Sequence, residues 1–64
     1  MSLKPDQIRL VELVAAGWTD AEIGAEIGVT ARAVEGRLVR IRHRLGARNR
    51  AELVRLAIRD GAVT

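Results

Sequence analysis

Three residues, Gly28-Val29-Thr30, restrict the fold more than any other stretch of this 64-residue chain. Glycine permits the left-handed backbone that ends a helix, and threonine is a favoured N-cap. With one apolar residue between them, only a tight turn fits. On the N-terminal side Ile23 and Ile27 recur at helical spacing behind Thr19, and T-D-A-E sets Glu22 three residues after that cap as a capping box. On the C-terminal side Val34, Leu38, Ile41 and Leu45 fall in one narrow stripe when residues are placed at about 100° per step. A short amphipathic helix, a glycine-containing turn and a longer helix make a helix-turn-helix pattern.

The flanking segments supply two more helices. Pro5 suits a first helical position, and the pattern predicts a helix from about Pro5 to Ala16, closed by Gly17. Leu10, Val11 and Val14 form its core stripe, with Ile8 and Leu13 at the edges. The third helix runs over about 31–45 and ends at Gly46. Asn49 then caps a fourth, about 50–59, with Glu52 at the capping-box position and Asp60 and Gly61 as its stop. The expected class is all-α: a four-helix, tetrahelical helix-turn-helix domain occupying residues 1–64 as a single domain. Gly24 is an oddity inside the second helix. It costs about 1 kcal/mol relative to alanine unless it admits another backbone closely.

Charge is strongly segregated along the chain. Residues 1–31 carry Lys4 and Arg9 against five acids, a balance of −3, whereas residues 32–50 carry seven arginines against Glu35 alone, a balance of +6. The face of the third helix opposite its apolar stripe presents Arg32, Glu35, Gly36, Val39, Arg40 and His43, flanked by Arg37, Arg42 and Arg44. A one-sided positive field of this kind suits a polyanion partner, although a solvated arginine-rich helix reads the same way from charge alone.

Several classes are disfavoured by composition. Without cysteine there is no disulfide framework or thiolate zinc site, and a single histidine builds no metal site, so no metal and no cofactor are expected. No apolar run approaches a membrane span and no signal-peptide pattern opens the chain, which points to a cytoplasmic protein without a membrane partner. The acids are scattered and exposed, the histidine lacks a neighbouring nucleophile, and a domain this small offers no sizeable pocket. No catalytic residues are expected, and the chain is not read as an enzyme.

Gly17 with Thr19, Glu22-Ile23, Ile27-Gly28-Val29-Thr30, Val34, Ile41 and the run Leu45-Gly46-Ala47-Arg48-Asn49-Arg50-Ala51-Glu52-Leu53-Val54 resemble the effector domain of the LuxR/GerE transcription regulators. The resemblance covers Leu3 to about Arg59, and its Leu-Gly-x-Arg-Asn-Arg-Ala-Glu-Leu segment is quite specific. It implies double-stranded DNA as partner, the third helix in the major groove and a fourth helix used for homodimerisation, in solution or only on DNA. RNA polymerase is a further candidate contact. In that family the module usually follows a receiver or ligand-binding domain, so the sequence reads equally as a one-domain regulator or as a C-terminal piece.

Departures concentrate where DNA would be touched. The family usually places Thr, Val, Lys, any residue and His where this chain has Ala33, Val34, Glu35, Gly36 and Arg37, and only Val34 keeps the pattern. Trp18 replaces a usual leucine, and Lys4 and Gln7 alter the N-terminal motif. By resemblance Glu35, Gly36 and Val39 lie nearest the base edges. One reading has Glu35 accept from a cytosine amino group, Val39 touch a thymine methyl and Gly36 admit the helix deeply, while Arg32 and Arg40 with the flanking arginines hold phosphates. In the other, Glu35 is a solvated residue paired to a neighbour one turn away. The candidate DNA-binding set is Thr19, Thr30, Arg32, Glu35, Gly36, Arg37, Val39, Arg40, His43 and Arg44.

Other residues carry quieter expectations. Trp18 reads as a half-buried lid, Glu22 as a cap, and His43 as an outward residue favourable to the helix dipole and secondarily a phosphate contact. Arg48 and Arg50 suit either a tie between the third and fourth helices or phosphate binding. In the fourth helix Leu53, Val54 and Ala57 suffice for the core, yet Leu56 and Ile58 are apolar too. The candidate dimer residues are Val54, Ala57 and Ile58. Two alternatives stay open: a helix-turn-helix module that binds protein instead of DNA, and a domain like region 4 of a sigma factor, which Gly36-Arg37-Leu38 through Arg44-Leu45 suits and the Arg48–Leu53 run does not.

Overall fold

A computed structural model describes residues 3–59 and 61. Its helices are α1 (Pro5–Ala15), α2 (Asp20–Ile27), α3 (Ala31–Leu45) and α4 (Arg50–Arg59), with no strand among the described residues. The fold is therefore the all-α, tetrahelical helix-turn-helix class. The expected stop at Asp60 lies outside the described residues.

Each boundary has a local cause. The Lys4 N–H donates to Gln7 Oε1 at 2.9 Å ahead of Pro5. One residue before the expected end, α1 closes as the Trp18 N–H reaches the Leu13 carbonyl at 3.1 Å and the Gly17 N–H reaches that of Val14 at 3.0 Å. The predicted capping box of α2 is complete. Thr19 Oγ1 accepts from the Glu22 N–H at 3.2 Å, and Glu22 Oε1 accepts from the Thr19 N–H at 2.9 Å. Gly28 then adopts φ 80, and the N–H groups of Gly28 and Val29 both reach the Gly24 carbonyl at 2.9 Å.

Gly24 explains how tightly the two helices meet. A Cβ there would stand 2.5 Å from the Val29 carbonyl oxygen and 3.3 Å from the Ala31 nitrogen, so only glycine lets the turn fold back onto α2. The low helix propensity of glycine is offset by this approach. On the far side of the turn, Thr30 Oγ1 caps α3 by accepting from the Ala33 N–H at 3.1 Å. At the other end Gly46, φ 72, lets the Ala47 N–H reach the Arg42 carbonyl at 2.8 Å.

Ile23, Ile41, Leu53, Val11 and Val34 are the largest fully buried side chains, drawn from all four helices. Each contributes about 1.5–3 kcal/mol by leaving water. The α1 stripe is broader than expected, because Leu13 is buried beside Leu10, Val11 and Val14. Leu45 packs only partly against the core, and Ala47 in the α3–α4 turn is buried instead. Trp18 is half-buried against the same cluster, as a lid should be.

Candidate nucleic-acid interface

All packing on α3 comes from one side, where Val34, Leu38 and Ile41 are held against the other helices. The opposite side consequently faces solvent. Arg32, Glu35, Arg37, Val39, Arg40, His43 and Arg44 are exposed there, and Gly36 is half-exposed. The structure thus brings eight of the ten predicted DNA-binding residues onto one helix face and its flanks. Thr19 and Thr30 stand at the N-termini of α2 and α3, where each hydroxyl oxygen accepts a cap bond and both residues are exposed.

Charge partners divide the arginines into two groups. The side chains of Arg32, Arg37 and Arg40 make no hydrogen bond or ion pair among the described residues, and that of Glu35 makes none either, so the pairing of Glu35 with a neighbour does not form. Three others are tied down. Arg42 Nη2 donates to the Arg48 carbonyl at 2.7 Å, bracing the turn after α3. Arg48 Nη2 pairs with Glu52 Oε2 at 3.0 Å, and Arg50 Nη1 pairs with Asp20 Oδ1 at 2.6 Å. Arg50 therefore serves as a structural tie, though it links α4 to the start of α2 rather than to α3.

Glu52 departs from the expected capping box. Asn49 Oδ1 does accept from the Glu52 N–H at 2.8 Å, but the Glu52 carboxylate reaches past Asn49 to the Arg48 N–H, also at 2.8 Å. The Arg48 guanidinium and then that N–H hold its pKa below the ordinary carboxylate value, while the pKa of Arg48 is raised in return. Glu22 is lowered likewise, first by the Thr19 N–H and then by the Thr19 hydroxyl.

An open groove runs along the exposed face, lined by Asp20, Ala31, Arg32, Glu35, Gly36 and Val39. Sequence reasoning did not single out Asp20. Its place as a wall of this groove comes from the packing of α2 on α3, which no local pattern signals. Among the described residues no group of three His, Cys, Asp or Glu side chains is placed to hold a metal ion, and no helix is long and apolar enough to cross a membrane.

One expected dimer residue has to be corrected. Ala57 is 0% exposed and belongs to the core, since it lies on the α4 face that carries Leu53. Val54 and Leu56 are half-buried against the core, which reduces the supposed apolar surplus of α4 to one residue. That residue is Ile58, 50% exposed.

Four helices around a helix-turn-helix, with a basic and largely unpaired face on the second member of the motif, define a DNA-binding regulatory domain. The family model of the LuxR family of bacterial regulatory proteins, GerE, matches residues 1–57, and the chain belongs to that family. It is thus a helix-turn-helix DNA-binding domain of the transcription-regulator type. Comparison with curated proteins and with solved structures gives no match.

Proposed function

We propose that this domain regulates transcription by binding specific duplex sites, with α3 in the major groove and two copies held together through α4. The observation that carries the reading is the face of α3 on which Arg32, Arg37 and Arg40 stand exposed without acidic partners. Arginines spent on internal ion pairs have little left for phosphate, and these three are not so spent. His43 and Arg44 extend the positive surface towards the end of the helix, Thr30 offers a hydroxyl at its beginning, and Thr19 offers another at the start of α2.

Base reading falls to Glu35, Gly36 and Val39. A carboxylate accepts from the N4 amino group of cytosine, and a valine makes apolar contact with a thymine methyl. Val39 and Ile58 are the two exposed large apolar side chains among the described residues. One lies on the proposed DNA face and the other on the proposed dimer face. A two-fold pairing through Val54 and Ile58 would set two α3 helices roughly 34 Å apart on an inverted repeat.

Binding to random duplex DNA across a salt series tests the reading. If about 4 to 6 phosphates are neutralised, log K falls against log salt with a slope near −4 to −5. Arg40→Ala should weaken all sequences alike, whereas Glu35→Ala should alter preference between sites more than overall affinity. A flat salt response would instead mark a protein-binding module.

A further inference from the structure

Gly36 has no internal reason to be glycine. Positive φ among the described residues is confined to Gly17, Gly28, Gly46 and Gly61, so the backbone at Gly36 is ordinary helix. A Cβ built there meets nothing within 4 Å, whereas one at Gly24 collides with the turn. Helix propensity alone would favour alanine. What glycine does at this position is remove one methyl group's worth of material from the outward face of α3, in the lining of the groove it shares with Asp20, Glu35 and Val39.

The surroundings define what fits that notch. Val39, three residues on, is 36% exposed and supplies an apolar wall. Arg32, four residues before it, lines the same groove and has no acidic partner, so it lays positive charge over the rim. Glu35 beside it is a free acceptor. In a DNA major groove the substituent that is apolar, methyl-sized and adjacent to the hydrogen-bonding group at C4 is the 5-methyl of a pyrimidine.

We infer that Gly36 is a specificity-determining residue: its missing side chain, with Val39 as wall, receives the 5-methyl group of a pyrimidine in the bound duplex. The inference rests on the duplex-DNA reading above. Thymine and 5-methylcytosine both carry the group.

The test uses the best duplex selected by the wild-type chain from a randomised pool, remade with each thymine in turn replaced by uracil and each cytosine by 5-methylcytosine. At one position uracil should weaken the wild type about fourfold, the worth of one buried methyl-sized group. Gly36→Ala should melt higher than the wild type, bind the thymine duplex more weakly, and recover on the uracil duplex, because its own methyl now fills the notch. If methylating one cytosine tightens the wild type but not Gly36→Ala, the group is that of 5-methylcytosine. Equal responses of the two proteins to every methyl added or removed, or unchanged binding by Gly36→Ala, would overturn the notch. Loss of binding in Arg40→Ala would then leave the DNA reading standing. A wild type that enriches no duplex takes both down.

Discussion

Arg50 Nη1 lies 2.6 Å from Asp20 Oδ1 while Nη2 of the same guanidinium donates to the Trp18 carbonyl at 3.2 Å. One side chain thus joins the start of α4 to the α1–α2 turn, although α2 and α4 do not otherwise pack on each other among the described residues. Asp20 is also a wall of the groove beside α3, so the bond neutralises a carboxylate on the face proposed to meet DNA. It links the stability of the fold to the electrostatics of the exposed side of α3.

A double-mutant cycle on Asp20→Ala and Arg50→Ala should therefore show two effects. Both side chains are partly exposed, at 28% and 43%, so solvent screening holds the coupling in urea unfolding to about 0.5 kcal/mol, at most about 1. In DNA binding at low salt, Arg50→Ala alone should be weaker than the double variant, because it leaves Asp20 unmatched. Identical binding by the two would show that Asp20 does not face the DNA.

Gly24→Ala and Gly36→Ala should move stability in opposite directions, although both sit within helices. The first forces the Val29 carbonyl away from a Cβ at 2.5 Å and should cost about 1–3 kcal/mol. The second meets open space and should gain up to about 1 kcal/mol. Thermal melts of the pair decide it, and a stabilised Gly24→Ala would mean that the α2–α3 turn yields.

Ile58→Glu should leave helical content and melting nearly unchanged, since half of the residue is already exposed. Binding to a duplex with two half-sites should fall far more than binding to one. Ala57→Glu should instead unfold the domain, because a charge would enter the core at a fully buried position. Equal losses by Ile58→Glu on both duplexes would place the dimer face elsewhere.

Acid should weaken the domain through Glu22 and Glu52. Both have folded pKa values below the ordinary 4.5, so the unfolded chain takes up protons first as pH drops. Their stabilisation is present above 4.5 and is lost as pH falls through the lower folded values. Thermal melts of wild type and of the Glu22→Gln, Glu52→Gln double variant should converge towards low pH. A constant gap down to the most acid conditions would rule out this linkage.

Local signals were legible in the residues themselves. Thr19 with Glu22, Thr30, Gly28 and Gly46 act within a few positions of the chain, so their caps and stops follow from spacing alone. The apolar stripe of α3 and the basic face opposite it likewise follow from helical period. Pairing between distant segments was not legible. Whether Arg50 met phosphate or Asp20 depended on how α4 crosses the α1–α2 turn, which no local pattern encodes.

Burial on α4 shows the same division. Leu53, Val54, Leu56, Ala57 and Ile58 are all apolar, and a sequence rich in apolar positions does not say which of them the other helices cover. Tertiary packing placed Ala57 in the core and left Ile58 outside, because the angle at which α4 docks on α1 and α3 selects one narrow face. Gly24 and Gly36 looked alike as mid-helix glycines. Only the approach of the turn at one, and the open space at the other, separated a residue that the fold requires from one that it does not.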